Sequence, residues 1–309
     1  MSRSAPDPRS TLLPVAMVVV AMASIQTGSA IAKQLFPVVG STGAAALRLL
    51  FAAVLLGAVL RPWRVRLDAA ALRSVLVYGA ALGGMNSLFY ASLRTVPLGV
   101  ATAFEITGPL AVAVLASRRA ADFLWIALAA GGLLLLLPLG QAAAGVDPAG
   151  AACALGAGAC WALYILFGKR AGAEHGVRIT AVGMVVAAAC VLPLGVASAG
   201  TALFTPRIFP FALAVAILST ALPYSLEMVA LRRLPARTFG TLTSLQPAFA
   251  ALSGLVILRE RLAPVQWLAM GAIVAASVGT TATAARRGEP PPLADDPTVG
   301  AEADAPDPP

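Results

Sequence analysis

The sequence predicts an all-α polytopic membrane protein, with ten transmembrane helices in two inverted five-helix repeats. The prediction rests on an apolar composition, on ten apolar stretches of membrane-spanning length, and on an internal repeat at an offset of 138 residues. Of the 309 residues, 59% are hydrophobic before glycine is counted and only 12% are charged. A soluble domain is about 45–50% apolar with glycine included and about 25% charged. Too few charges remain here to solvate a globular surface. Six of the fourteen carboxylates crowd into the tail after Arg287. Between Thr11 and Ala285 only Asp68, Glu105, Asp122, Asp147, Glu174, Glu227 and Glu260 remain. This excludes a soluble enzyme, a nucleic-acid binder and a disulfide scaffold.

A bilayer core takes about 20 apolar residues in a helix. Such stretches run over 13–32, 41–60, 74–93, 97–116, 123–140, 149–168, 179–199, 208–230, 238–257 and 265–285. The first is too long for a cleaved signal, lacks a small-residue cleavage site, and carries Gln26 and Lys33. The connecting loops leave no room for a soluble domain. Residues 1–12 then form an N-terminal tail, 13–140 the first repeat, 149–285 the second, and 286–309 a proline-rich acidic tail of disordered composition.

Basic residues set the expected orientation. The N-tail and every second loop carry sixteen of the 22 lysines and arginines. The alternate loops carry five, namely Lys33, Arg94, Arg207, Arg259 and Arg261, and Arg48 lies inside a span. This split predicts both termini in the cytoplasm. It also accounts for the net charge of +8, which faces anionic lipid rather than nucleic acid.

The repeat is visible without gaps. Ser87, Leu88, Leu93, Arg94, Pro97 and Pro109 recur as Ser225, Leu226, Leu231, Arg232, Pro235 and Pro247. The offset carries the third span onto the eighth and the fourth onto the ninth. Because five spans is an odd number, the second half enters the membrane from the opposite side. Secondary transporters are built this way, with substrate held between the halves.

Cysteine and histidine offer little chemistry. Cys153 and Cys160 share a helical face with no histidine or acid near them, and Cys190 stands alone. All three read as small buried hydrophobes. His175, the single histidine, falls in a charged loop. No metal site, cofactor motif or ATP-binding segment is expected. Energy must then come from an ion or substrate gradient. Gly79 and Gly83 read as a packing pair.

The stretches VAMASIQTGSAIAKQLFPVVG, GGMNSLFYASLRTVPLGVA, TGPLAVAVLASRRAADF, ALGAGACWALYILFGKRAGAEHG and LAVAILSTALPYSLEMVALRRLPARTFGTL resemble the EamA family of drug/metabolite transporters. The likeness runs from about Ala16 to Thr281. It implies ten helices in two inverted repeats and proton-driven export of small neutral amino acids, such as threonine and homoserine, across the bacterial cytoplasmic membrane. One departure stands out: Gln246, just before Pro247, occupies a place where the resemblance implies a glutamate. Proton handling would then fall to Glu105.

Polar side chains inside spans are functional candidates by default. At about 1.5 Å per helical residue, Gln26, Arg48, Asn86 and Glu105 lie roughly 9–12 Å below the outer surface. These four come from four helices, and Arg48 and Glu105 carry opposite charges suited to mutual neutralisation. They read either as a layer of the transport path or as a structural ion pair with its neighbours. Glu227 sits near the inner end of the eighth span, placed for snorkelling or for a second proton site. Tyr164, Tyr224 and Gln246 form a milder layer in the second half. Pro109, Pro223 and Pro247 each free a backbone carbonyl, suited to an ammonium group or to a simple kink. Lys33, at the mouth of the first span, reads as an interface anchor. The partners expected are an amino acid, protons and the lipid bilayer. Rival functions are export of hydrophobic drugs, of nucleotide sugars, or a scaffold or embedded enzyme without transport. Low aromatic content at 6% argues against the first, and a single intramembrane arginine against the second. Oligomeric state is not legible.

Overall fold

A computed structural model describes residues 8–65, 67–115, 120–136, 146–175, 178–223, 226, 230, 242 and 244–286. Residues 1–7 and 287–309, Tyr224 and Glu227 lie outside them. Among the described residues all regular structure is helical. The helices are α1 Pro8–Gln34, α2 Phe36–Leu60, α3 Ala69–Ser92, α4 Leu98–Glu105, α5 Thr107–Leu115 and α6 Ala120–Leu136. They continue as α7 Pro148–His175, α8 Arg178–Ala199, α9 Phe209–Ala216, α10 Gln246–Ile257 and α11 Pro264–Arg286. A π-helical turn, Ile217–Ala221, follows α9.

Four stretches are long and apolar enough to cross a membrane: Leu13–Gln34, Phe36–Leu60, Pro148–Gly168 and Arg178–Phe204. The surface agrees with a lipid solvent. Val54, Leu124, Leu194, Val256 and Leu268 are all exposed at 57–75%, an apolar exterior suited to lipid.

Local signals explain most boundaries. Asp68 caps α3, its Oδ1 accepting from the Ala71 N–H at 2.7 Å. Gly40 interrupts the first turn of α2 with φ +68°, a left-handed conformation that suits glycine, so the regular helix starts where the sequence places it. Helix α1 begins at Pro8, a residue suited to a first turn, and its membrane-length apolar part begins at Leu13 as expected. Two expectations need correction. The 97–116 stretch is two helices broken at Ile106. His175 ends helix α7 rather than lying in a loop.

Packing relies on small residues, as between membrane helices generally. A methyl on Gly79 of α3 would lie 2.7 Å from the Gly183 carbonyl of α8, and one on Gly83 would lie 3.2 Å from the Ala187 carbonyl. The glycine pair is therefore the close-approach surface its spacing predicts. Cys160 packs its sulfur 3.2 Å from the methyl position of Gly84, but Cys190 is exposed on α8 rather than buried.

The main contacts form a pattern. Helix α2 packs on α8, α4 on α10, and α6 on α11. Helix α3 packs on α7 and α8, while α9 packs on α1 and α2. Helix α4 packs on α7, and α10 on α1. Exchanging α1, α2, α3, the α4–α5 pair and α6 for α7, α8, α9, α10 and α11 turns this pattern into itself.

Candidate functional site

Helix α4 ends where its sequence requires. The Glu105 carbonyl would accept from residue 109, but Pro109 has no N–H to give and its ring crowds that carbonyl. The helical ladder is interrupted at Ile106, which keeps helical dihedrals, and resumes as α5 at Thr107. The freed Glu105 carbonyl faces α7, where a methyl on Gly158 would lie 2.6 Å from it. A methyl on Gly108 would run into the Gly158 carbonyl itself. Two glycines thus let the break and α7 approach backbone to backbone. In the second half a turn stands at the matching place, without the glycine. Ser244 and Leu245 form a turn before α10, and Ser244 stands 138 residues after Ile106.

The Glu105 side chain is buried at 9% exposure. Among the described residues no ion pair involves it. Arg48 acts on it electrostatically from a distance, while its guanidinium is engaged elsewhere. Arg48 Nη1 donates to the Tyr90 hydroxyl at 3.3 Å, and its Cζ lies 5.5 Å from the centre of that ring. Tyr90 is fully buried and holds the arginine by hydrogen bond and cation–π contact. The mutual neutralisation expected of Arg48 and Glu105 is therefore not a contact in this conformation. The reason is that the buried phenol offers Arg48 a polar partner on a neighbouring helix.

The other candidates occupy distinct surroundings. Gln26 is 3% exposed, and its Oε1 has no hydrogen-bond partner. Asn86 is buried and donates back to the Leu82 carbonyl at 2.9 Å. Gln246 is half-buried at the first position of α10. Tyr164 stacks on Tyr78 with ring centroids 4.8 Å apart, joining α7 to α3. Gln26, Asn86 and Glu105 are thus buried polar groups on three helices.

Sequence reasoning missed two features. Ser24 Oγ donates to the Leu218 carbonyl at 2.6 Å, joining α1 to the π-helical turn. That turn precedes Pro223, which cannot donate to the Ser219 carbonyl, so the wider winding has a cause. The second is an ion pair at the far end of α4. Lys33 Nζ lies 2.6 Å from Glu260 Oε1, and Glu260 Oε2 accepts from the Leu98 N–H at 2.8 Å. Lys33 is therefore paired rather than a lone interface anchor. Its placement beside Glu260 was hidden because 227 residues separate them. Both nonetheless lie at the same expected membrane side, Lys33 in the last turn of α1 and Glu260 in the loop after α10.

Asp147 caps α7 and ties it to the loop before α4. Its Oδ2 accepts from the Gly150 N–H at 2.8 Å and from the Thr95 hydroxyl at 2.9 Å. These bonds, led by the Gly150 amide, hold its carboxyl below the usual range. Because the folded value is depressed, its stabilisation is full above the unfolded pKa of about 3.9 and is lost as pH falls through the folded value. Asp147→Asn keeps an acceptor oxygen but cannot ionise. Thermal unfolding should show the wild type more stable than this variant above about pH 4, with the gap closing in stronger acid. A gap independent of pH would contradict the capping role.

An apolar exterior, a helix interrupted at a buried carboxylate and further buried polar side chains within apolar helices are the features of a membrane transport protein. Residues 148–282 match the EamA-like transporter family. The threonine/homoserine exporter RhtA of Escherichia coli K12 is 58% identical over 271 residues, covering 88% of this chain and 92% of that protein. RhtA of Salmonella typhimurium LT2 is 57% identical over 274 residues, covering 89% and 93%. The uncharacterized transporter YwfM of Bacillus subtilis is 30% identical over 203 residues, covering 63% and 68%. A crystal structure of a protein 20% identical to this chain aligns with a TM-score of 0.55, covering 92% of this chain and 100% of the other, a likeness of fold alone. The chain belongs to the EamA-like transporter family, and it is a transporter rather than an enzyme.

Proposed function

We propose that this protein exports threonine and homoserine from the bacterial cytoplasm by proton antiport. The observation that carries the mechanism is Glu105, a buried carboxylate at a helix break. The proposed path runs past Gln26, Arg48, Asn86 and Glu105 in the first half and Tyr224 and Gln246 in the second. The unpartnered Gln26 Oε1 is an acceptor suited to an ammonium group. Glu105 is the proposed proton carrier, with Glu227 the next carboxylate. A carboxylate in a low-dielectric site can exchange its charge for a proton when its electrostatic surroundings change. Rocking of the halves would supply that change by moving Arg48 relative to Glu105. The names of the close relatives support the substrates, and the buried carboxylate supports the coupling. Overexpression should raise resistance to toxic external threonine and homoserine and lower the cytoplasmic pools of both. Unchanged pools, with resistance to lipophilic dyes instead, would favour a drug exporter.

The proposed architecture is two inverted five-helix repeats, 13–140 and 149–285, with both termini cytoplasmic. The helix pairing that survives exchange of the halves supports it, as does the paired placement of the turns. A reporter active only in the cytoplasm should work when fused after Arg287. One active only outside should work when fused at Val146. An external Arg287 fusion would sink the topology.

A further inference from the structure

We propose that Lys33, Glu260 and the N-terminus of α4 form the outer gate of the transport path, latched shut in this conformation. The inference rests on the transport reading above and adds residues that reading does not use.

The latch joins three segments that are distant in sequence. Lys33 is in the last turn of α1, and Leu98 opens α4. Glu260 lies in the loop between α10 and α11. Its two carboxylate oxygens serve different partners: Oε1 meets Lys33 Nζ at 2.6 Å, and Oε2 accepts from the Leu98 N–H at 2.8 Å. Lys33 Nζ also lies 3.4 Å from the Val96 carbonyl. The side chains are only 22% and 14% exposed, so solvent screens the pair less than it would a surface one. The carboxylate also meets the positive end of the α4 dipole. Gly254 makes room for it, since a methyl there would collide with Glu260 Oε2. One carboxylate from the second half thus holds two helices of the first.

Position connects the latch to the site. Gln26 is seven residues before Lys33 on α1, and Glu105 is seven residues after Leu98 on α4. Seven helical residues are two turns, so both polar groups lie about 10 Å beneath the latch. At that spacing Gln26 shares a face of α1 with Lys33, and Glu105 a face of α4 with Leu98. Lys33, Arg94, Arg259 and Arg261 belong to the sparsely charged loops, which the charge rule places outside. A latch on that side, above the buried polar groups, must open before substrate can leave outward. Glu260 and Lys33 are then gating residues, which set the population of the outward-open form rather than bind substrate.

The test reads opening directly and needs no substrate. Cys153, Cys160 and Cys190 are replaced by alanine, and Ala30→Cys supplies a single reporter. Ala30 is fully buried on α1, three residues before Lys33. Cells or right-side-out vesicles are treated with a membrane-impermeant maleimide. Labelling should be slow with the latch intact. It should rise about tenfold or more in Glu260→Gln and in Lys33→Met, the shift expected on losing a charge-assisted hydrogen bond. The exchanged pair Lys33→Glu with Glu260→Lys restores the attraction but not the Leu98 bond, and should bring labelling back part of the way. Equal membrane abundance of the variants establishes folding. Unchanged labelling in both single variants would overturn the gate, as would an exchanged pair that labels faster than either. If labelling behaves as expected while threonine flux is absent, the gate stands and the substrate assignment falls.

Discussion

Glu105→Gln should abolish threonine movement driven by a pH gradient while leaving substrate exchange measurable. Glutamine preserves size and hydrogen-bonding capacity but cannot titrate. Its side chain fits the same buried position at the end of α4, so the fold should survive. Membrane abundance and thermal stability near the wild-type values would confirm that. The coupled cycle needs the carboxylate to be charged in one conformation and neutral in the other. A permanently neutral residue removes the proton's carrier but not the substrate's path. Counterflow of labelled against unlabelled threonine should therefore persist after net pH-driven flux falls to background. If the variant still accumulates threonine at the wild-type rate, Glu105 serves structure, and Glu227 is the next carboxylate to test.

Gly158→Val should be strongly damaging although it leaves the chemistry of every polar group unchanged. A methyl on Gly158 already comes within 2.6 Å of the Glu105 carbonyl, and the neighbouring Gly108 has no space either. The obstructing atoms are backbone, which cannot swing aside as the tip of a side chain can. Overpacking of this kind costs about 1–3 kcal/mol. Here the strain falls on the break itself, separating α7 from α4 and α5. Lowered thermal stability and lost transport are expected together. Gly131→Ala and Gly271→Ala provide the contrast. A methyl at either position meets nothing within 4 Å, so helix propensity alone should leave these variants neutral or more stable by about 0.5–1 kcal/mol. Equal effects at Gly158 and Gly131 would contradict the close approach.

The all-helical, apolar character was legible because membrane solvation writes directly into composition. Four described stretches are long and apolar enough to cross a membrane, and each overlaps an expected span. The exact breaks were less so. Pro109 announces a disturbed carbonyl, but hydropathy runs smoothly across 97–116 and gives no sign of two helices. The α3–α8 approach was written in Gly79 and Gly83, whereas that of α7 to the break depends on Gly158 meeting Gly108 across the fold. Polarity in an apolar span marked Gln26, Asn86 and Glu105 as buried candidates. It could not choose partners. Arg48 was matched to the carboxylate by charge and depth, yet the structure gives it Tyr90. Tyrosine hydroxyls were weighed only at Tyr164 and Tyr224, and matching by charge passes over a neutral acceptor such as Tyr90. Lys33 and Glu260 were hidden for another reason: each is an ordinary loop charge until the fold joins them.

The central claim is coupling of threonine export to protons, and inverted membrane vesicles test it most directly. Their lumen corresponds to the cell exterior, so an acidic lumen should drive labelled threonine and homoserine inward as protons leave. The account predicts accumulation that collapses when a protonophore removes the gradient. It also predicts that unlabelled threonine competes, and that vesicles without the protein show no such uptake. Accumulation that is indifferent to the pH gradient, or none above vesicles lacking the protein, would contradict it.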